Sequence, residues 1–135
     1  MKTLQIILRD TARHECIEDV VSFVGEDASG SFGILAGHER MITSLVFGLA
    51  RFRTEFGSWQ YLAMPGAMLY FTGKLLHINT RRYFMSDDYE NVSQALVDIL
   101  AVEEQDLLEM KRNLHRIEES IMRRLLEMET AGINP

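Results

Sequence analysis

The chain has 135 residues, 47% of them apolar and 25% charged, which suits one folded domain, or a small domain with an appendage, and excludes a disordered polymer. A formal net charge of −6 argues against free nucleic acid as a partner, and a single cysteine, Cys16, excludes an internal disulfide and suits a reducing compartment. No stretch approaches the ~20 apolar residues of a membrane span, and the opening MKTLQIILRD is too short an apolar run for a secretory leader, so any membrane link is expected to run through a partner.

Taken in chain order, residues 1–86 read as short strands. Leu4, Ile6 and Leu8 alternate with Thr3, Gln5 and Ile7, and Val21 and Phe23 flank Ser22. Met41 to Phe47 is β-branched and aromatic enough for another strand or irregular chain. Ala50 and Phe52 face away from Arg51 and Arg53, and Trp59 and Tyr61 alternate with Gln60. Met68 and Tyr70 alternate with Leu69 and Phe71, a pattern expected where both faces are covered. Turn signals fall at Gly25-Glu26-Asp27, Gly30, Gly57-Ser58, Pro65-Gly66 and Thr72-Gly73-Lys74, with Gly57-Ser58 and Gly73-Lys74 read as hairpin turns needing positive φ.

At Ser86-Asp87-Asp88 both the charge and the period change. Residues 1–86 hold nine Lys/Arg and eight Asp/Glu, whereas residues 87–135 hold five and twelve. Asp87 or Asp88 can cap a helix, with Glu90 in its first turn. Val92, Leu96, Ile99 and Leu100 then share one face, and Leu107, Met110, Leu114, Ile117, Ile121, Leu125 and Met128 follow at gaps of three and four. Gly132 and Pro135 suit a stop. Glu103-Glu104-Gln105-Asp106 interrupts the apolar stripe without Gly or Pro, so it reads either as a tight turn or as the middle of one long helix. Because an apolar stripe needs a cover, two helices facing each other are favoured. The expected fold is α+β, with an N-terminal antiparallel β-sandwich of about eight to ten short strands over residues 1–86 and a C-terminal α-helical hairpin over residues 87–135.

Chemical constellations are weak. Gly30, Gly33 and Gly37 miss the spacing of known phosphate loops, and the chain after them does not read as a helix whose N-terminus could hold an anion. They read instead as a tight sheet corner, where glycine supplies unusual φ/ψ or close backbone approach. His14, His38, His77 and His115 lack metal-ligand spacing, so neither a metal nor a cofactor is expected. Cys16 stands among Glu15 and Glu18, the wrong setting for a nucleophilic cysteine, and no serine sits in a nucleophile elbow. Arg112, Arg116 and Arg123 share one helical side. They suit either a solvated face, with Arg112–Glu109 and Arg116–Glu119 pairs, or contact with an acidic protein.

The order Gly25-Glu26-Asp27, Gly30-Ser31-Phe32-Gly33-Ile34-Leu35-Ala36-Gly37-His38, Ile42-Thr43-Ser44-Leu45 resembles the G-E-x-G-x-G-I-L-P-G-H-A-P-L-x-T-x-L signature of the epsilon subunit of F-type ATP synthases. Leu62 to Tyr70 is similar to that family's later G-G-x-L-E-V region, and the layout of sandwich followed by helices matches over the whole chain. Ala36 stands where the family usually has Pro, and Glu39-Arg40 where it has Ala-Pro. Asp88-Tyr89-Glu90-Asn91 lacks the Arg of the family's ATP-binding motif, so nucleotide binding is not expected. The entry and end of the helical half resemble the divergent epsilon of alternate, sodium-translocating ATPases.

The resemblance implies a non-catalytic rotor subunit that joins the gamma subunit to the membrane c-ring. Its helices would restrain ATP hydrolysis through gamma or the alpha/beta head. It implies a peripheral place on the cytoplasmic face of the inner (plasma) membrane, held there by partner subunits. It also implies interface roles for Gly30, Ser31, Phe32, Gly33, Gly37, His38, Met41 and Thr43, and regulatory helix contacts for Arg112, Arg116 and Arg123. The alternative is a small β-barrel metal- or ligand-binding protein using His38, Glu39 and His77, with a helical dimerisation tail.

Overall fold

The computed structural model describes residues 2–130. Within them lie nine strands, β1 (Leu4–Arg9), β2 (His14–Asp27), β3 (Gly30–Ile34), β4 (Met41–Leu45), β5 (Gly48–Thr54), β6 (Trp59–Met64), β7 (Ala67–Phe71), β8 (Leu75–Thr80) and β9 (Phe84–Ser86), followed by one helix, α1 (Tyr89–Thr130). The expected stop residues Gly132 and Pro135 lie outside the described residues.

The sheet runs β1-β8-β7-β4-β2-β5-β6-β9, with β3 added on β2 and β1 also paired to β2. The long β2 strand serves two neighbourhoods. Its first half pairs with β1, and its second half lies between β3 and β5. The change comes at a bulge, where Asp19 takes φ 57° and the register shifts between Val20 and Ser22. An inserted residue bends and twists a strand, and Asp tolerates the left-handed region better than most residues. The bulge also breaks strict alternation, so Val20 and Val21 are both buried. The pairings are antiparallel except one, since β1 runs parallel to β8. An all-antiparallel sandwich therefore needs that correction, which local alternation does not reveal.

Leu4, Ile6 and Leu8 from β1, Phe23 from β2, Phe52 from β5, Phe71 from β7 and Ile78 from β8 meet in one buried core. Each such side chain contributes about 1.5–3 kcal/mol by leaving water. Gly25 is inside β2, and the turn falls at Ala28-Ser29. A Cβ at Gly25 would lie 3.0 Å from the Phe23 ring, 3.1 Å from Leu45 and 3.3 Å from Phe32, so a larger residue would make these three side chains give by a few tenths of an ångström. Of the two expected positive-φ hairpin turns, Gly73 has φ +107° and Gly57 does not take positive φ. Arg13 ties the β1–β2 loop to the segment before β9. It donates from Nη2 to the Tyr83 carbonyl at 2.9 Å and lies 4.1 Å over the Tyr83 ring. Burial, then the Glu15 carboxylate, pushes the Tyr83 hydroxyl up to about 12.

The chain forms two compact units, Met1–Leu100 and Ala101–Pro135, whose boundary falls within α1. Asp88 starts the helix: its Oδ1 accepts from Glu90 N–H at 3.0 Å and its carbonyl from Val92 N–H at 3.1 Å. In the first unit Val92 and Ile99 pack with Ala63, Leu49 and Tyr61 on the outside of β5 and β6. In the second unit the helix continues through Glu103-Glu104-Gln105-Asp106, so the expected hairpin is corrected to a single helix. Glu and Gln are good helix formers, and nothing in the tetrad removes a backbone donor. No helix of the described residues is long and apolar enough to cross a membrane.

Candidate functional site: the glycine–histidine corner

The corner starts at the end of β2. The Asp27 carboxylate accepts from Ser29 N–H at 2.9 Å, from Ser29 Oγ at 2.5 Å and from Thr43 Oγ1 at 2.8 Å. These bonds, the Ser29 hydroxyl first and Thr43 next, hold the Asp27 carboxyl below its usual range. One acidic side chain thereby pins the β2–β3 turn to β4. Thr43, one of the residues expected at an interface, thus has a structural task as well.

β3 pairs with β2 through Asp27–Gly30, Glu26–Ser31, Gly25–Phe32, Val24–Gly33 and Phe23–Ile34. Its other edge has no strand partner among the described residues. Ser31 and Gly33 are exposed, while Phe32 is half-buried and packs against the core. Positive φ occurs at Gly30 (+122°) and Gly37 (+86°) but not at Gly33, whose added Cβ would meet only the Phe23 carbonyl at 3.7 Å. Of the unusual φ/ψ or close backbone approach expected at this corner, Gly30 and Gly37 take the first and Gly33 makes only an ordinary contact.

After β3, Leu35 C=O accepts from His38 N–H at 3.0 Å across Ala36 and Gly37. With φ +86° at the third position this is a type II turn, for which Gly is required there and Pro is favoured at the position of Ala36. The His38 ring stands exposed, with Nδ1 2.7 Å from the Glu39 carbonyl and its plane edge-on to Phe71 at 6.1 Å. Met41 is half-buried against the core opposite Phe71. The structure thus gathers Gly30 to Thr43 at β3, the type II turn and β4. Arg112, Arg116 and Arg123 are exposed on α1 in the second unit. There Glu119 meets His115 at 3.0 Å, and the expected Arg112–Glu109 and Arg116–Glu119 pairs are not formed.

Beside the corner lies a surface that sequence reasoning missed. Ile42 is 68% exposed, Met68 52% and Tyr70 41%, although both faces of residues 68–71 read as covered. Register aligns Ile42 with Tyr70, Tyr70 with His77, His77 with Ile7 and Ile7 with Cys16, a row across five strands. Tyr70 and His77 stack at 5.7 Å and 25°. The row exists only through cross-strand pairing, so no local pattern could signal it. His77 is engaged with Tyr70 and His38 with Glu39 and Phe71, and no three His, Cys, Asp or Glu groups converge on a metal position among the described residues. The arrangement offers contact surface and an open strand edge.

Residues 3–86 match the family model described as ATP synthase, Delta/Epsilon chain, beta-sandwich domain. Over 80 residues the chain is 35% identical to ATP synthase epsilon chain 2 of Cereibacter sphaeroides, a stretch covering 58% of this chain and 55% of that relative. The match thus spans about half the length of the curated relative. A chain in the cryo-EM structure of the Euglena gracilis mitochondrial ATP synthase (OSCP/F1/c-ring, rotational state 1) has a TM-score of 0.57 at 24% identity, covering 73% of this chain and 64% of that one. A chain in the central stalk/c-ring structure of the Tetrahymena thermophila mitochondrial ATP synthase has a TM-score of 0.53 at 13% identity, covering 62% and 66%. At these identities the likeness is one of fold.

Proposed function

Because this chain belongs to the ATP synthase delta/epsilon family, we propose that it is the epsilon-type, non-catalytic subunit of a rotary ATP synthase, joining gamma to the c-ring in the central stalk. The observation that carries the reading is the family match over residues 3–86, the stretch that also folds the glycine–histidine corner. Residues 1–86 act as the docking body and residues 87–135 as the helical arm. Gly30, Ser31, Phe32 and Gly33 lie on a strand with an open edge, suited to the loops of the c-ring. Gly37, His38, Met41 and Thr43 lead into the Ile42–Tyr70 surface, suited to gamma. A torque coupler must resist shear. The Asp27 clasp and the doubly engaged β2 strand supply that stiffness by linking neighbours through buried or multiply bonded groups.

On this reading the subunit is peripheral, held at the cytoplasmic face of the inner (plasma) membrane by its partners. Arg112, Arg116 and Arg123 are its regulatory contacts with the alpha/beta head. Proton or sodium ions pass through the ring it grips and never through this chain. Affinity purification of the tagged chain from detergent-solubilised membranes is expected to bring down gamma and the c-ring together. Recovery of neither ends the reading.

A further inference from the structure

A second surface lies on the outer face of the β5–β6 hairpin, where Arg51 is paired across the strands with Tyr61. Arg51 and Arg53 project from the same face of β5, and register sets Arg53 opposite Trp59. Both guanidinium groups lie over the one indole, Arg51 at 4.6 Å and Arg53 at 5.6 Å from its centre. Both arginines are exposed, and Trp59 is half-buried beneath them. Among the described residues neither guanidinium pairs with a carboxylate, in a chain with 20 acidic residues. At the tip of the same hairpin Phe56 is 89% exposed, the most exposed of the large apolar side chains described.

We propose that Arg51, Arg53 and Trp59 form a docking surface for an acidic protein segment that presents two carboxylates, with Phe56 as its apolar neighbour. Side chains two apart on a strand stand roughly 7 Å from each other. Carboxylates two apart on an extended segment, or one turn apart on a helix, have matching separations. Stacking on the indole holds each guanidinium plane in place, so little rotamer freedom is lost when its donors meet a carboxylate. Trp and Arg are the residue types that dominate interface energetics. Charge complementarity selects the class of partner. Nucleic acid is disfavoured by the net charge of −6, and a lipid headgroup surface calls for clusters of roughly four to eight cations where this site has two. The proposal stands independently of the central-stalk reading.

Trp59 is the sole tryptophan, so its fluorescence reports on the site directly. Titrating the full-length protein with a blocked octaglutamate peptide is expected to give a saturating change in Trp59 emission, weakened by added salt. Octalysine is expected to give none. Arg51→Gln/Arg53→Gln should weaken octaglutamate binding about tenfold or more while the thermal melt stays unchanged. Arg51→Lys/Arg53→Lys keeps the charge but loses the planar fork, and should bind between wild type and the Gln variant. No saturating change with octaglutamate, equal binding by the Gln variant, or a response to anionic phosphatidylserine vesicles in its place would each overturn the proposal.

Discussion

Ala36 occupies the second position of the Leu35–His38 turn, where φ near −65° is wanted and a proline ring would fix it in advance. Ala36→Pro is therefore expected to stabilise the protein by about 0.4–1 kcal/mol, read as a higher urea midpoint at unchanged slope. Gly37→Val at φ +86° should instead cost about 1–3 kcal/mol, while Gly33→Val, in ordinary extended backbone, should cost far less. Equal losses at both glycines would remove the turn assignment. The three glycines were visible in the chain, but which of them needs positive φ was not. That depends on whether the residue continues a ladder, as Gly33 does opposite Val24, or closes a turn, as Gly37 does. Asp27 is similar: it reads as a turn residue, and only folding brings Thr43, sixteen residues on, to its carboxylate.

Within α1, the same amphipathic pattern meets two fates. Val92 is fully buried against Ala63, whereas Leu114 is 58% exposed. Val92→Ala is expected to cost about 1–2 kcal/mol through lost burial and a small cavity. Leu114→Ala should stay within about 0.5 kcal/mol in the isolated chain, since alanine is the better helix former and no packing is lost. Calorimetric melts of the two variants check this, and a large loss at Leu114 would mean that its stripe is covered in solution. The helix start at Asp87 or Asp88 and the existence of the stripe were legible, because capping and period are local properties, whereas the packing of Val92 and Ile99 on the sheet in place of a second helix was not. Whether Glu103 to Asp106 turns or continues was not. A polar tetrad of good helix formers permits both, and the choice rests on whether a facing helix is available.

For the molecule as a whole, the two compact units meet at Leu100, so a chain ending there keeps Val92 and Ile99 on the sheet. That truncation is expected to melt like the first unit of the full chain. If the proposed central-stalk role holds, the truncated chain reconstituted with its partner subunits should raise ATP hydrolysis where the arm restrains it, and unchanged hydrolysis would make the arm purely structural. Ending the chain at Ser86 would bare Ala63, Leu49 and Tyr61 and confuse the two effects. By itself the sequence determined the strand-then-helix order, the core alternation of β1 and β5, the helix start and the family signature, because periodicity, capping and motif spacing act over a few residues. The tertiary structure alone decided the parallel β1–β8 pairing, the divided duty of β2, the Asp27 clasp, the Ile42–Tyr70–His77 row and the twin-arginine stack on Trp59. Each of these joins residues whose neighbourhood is set by strand register across the sheet, a long-range choice that no local pattern encodes.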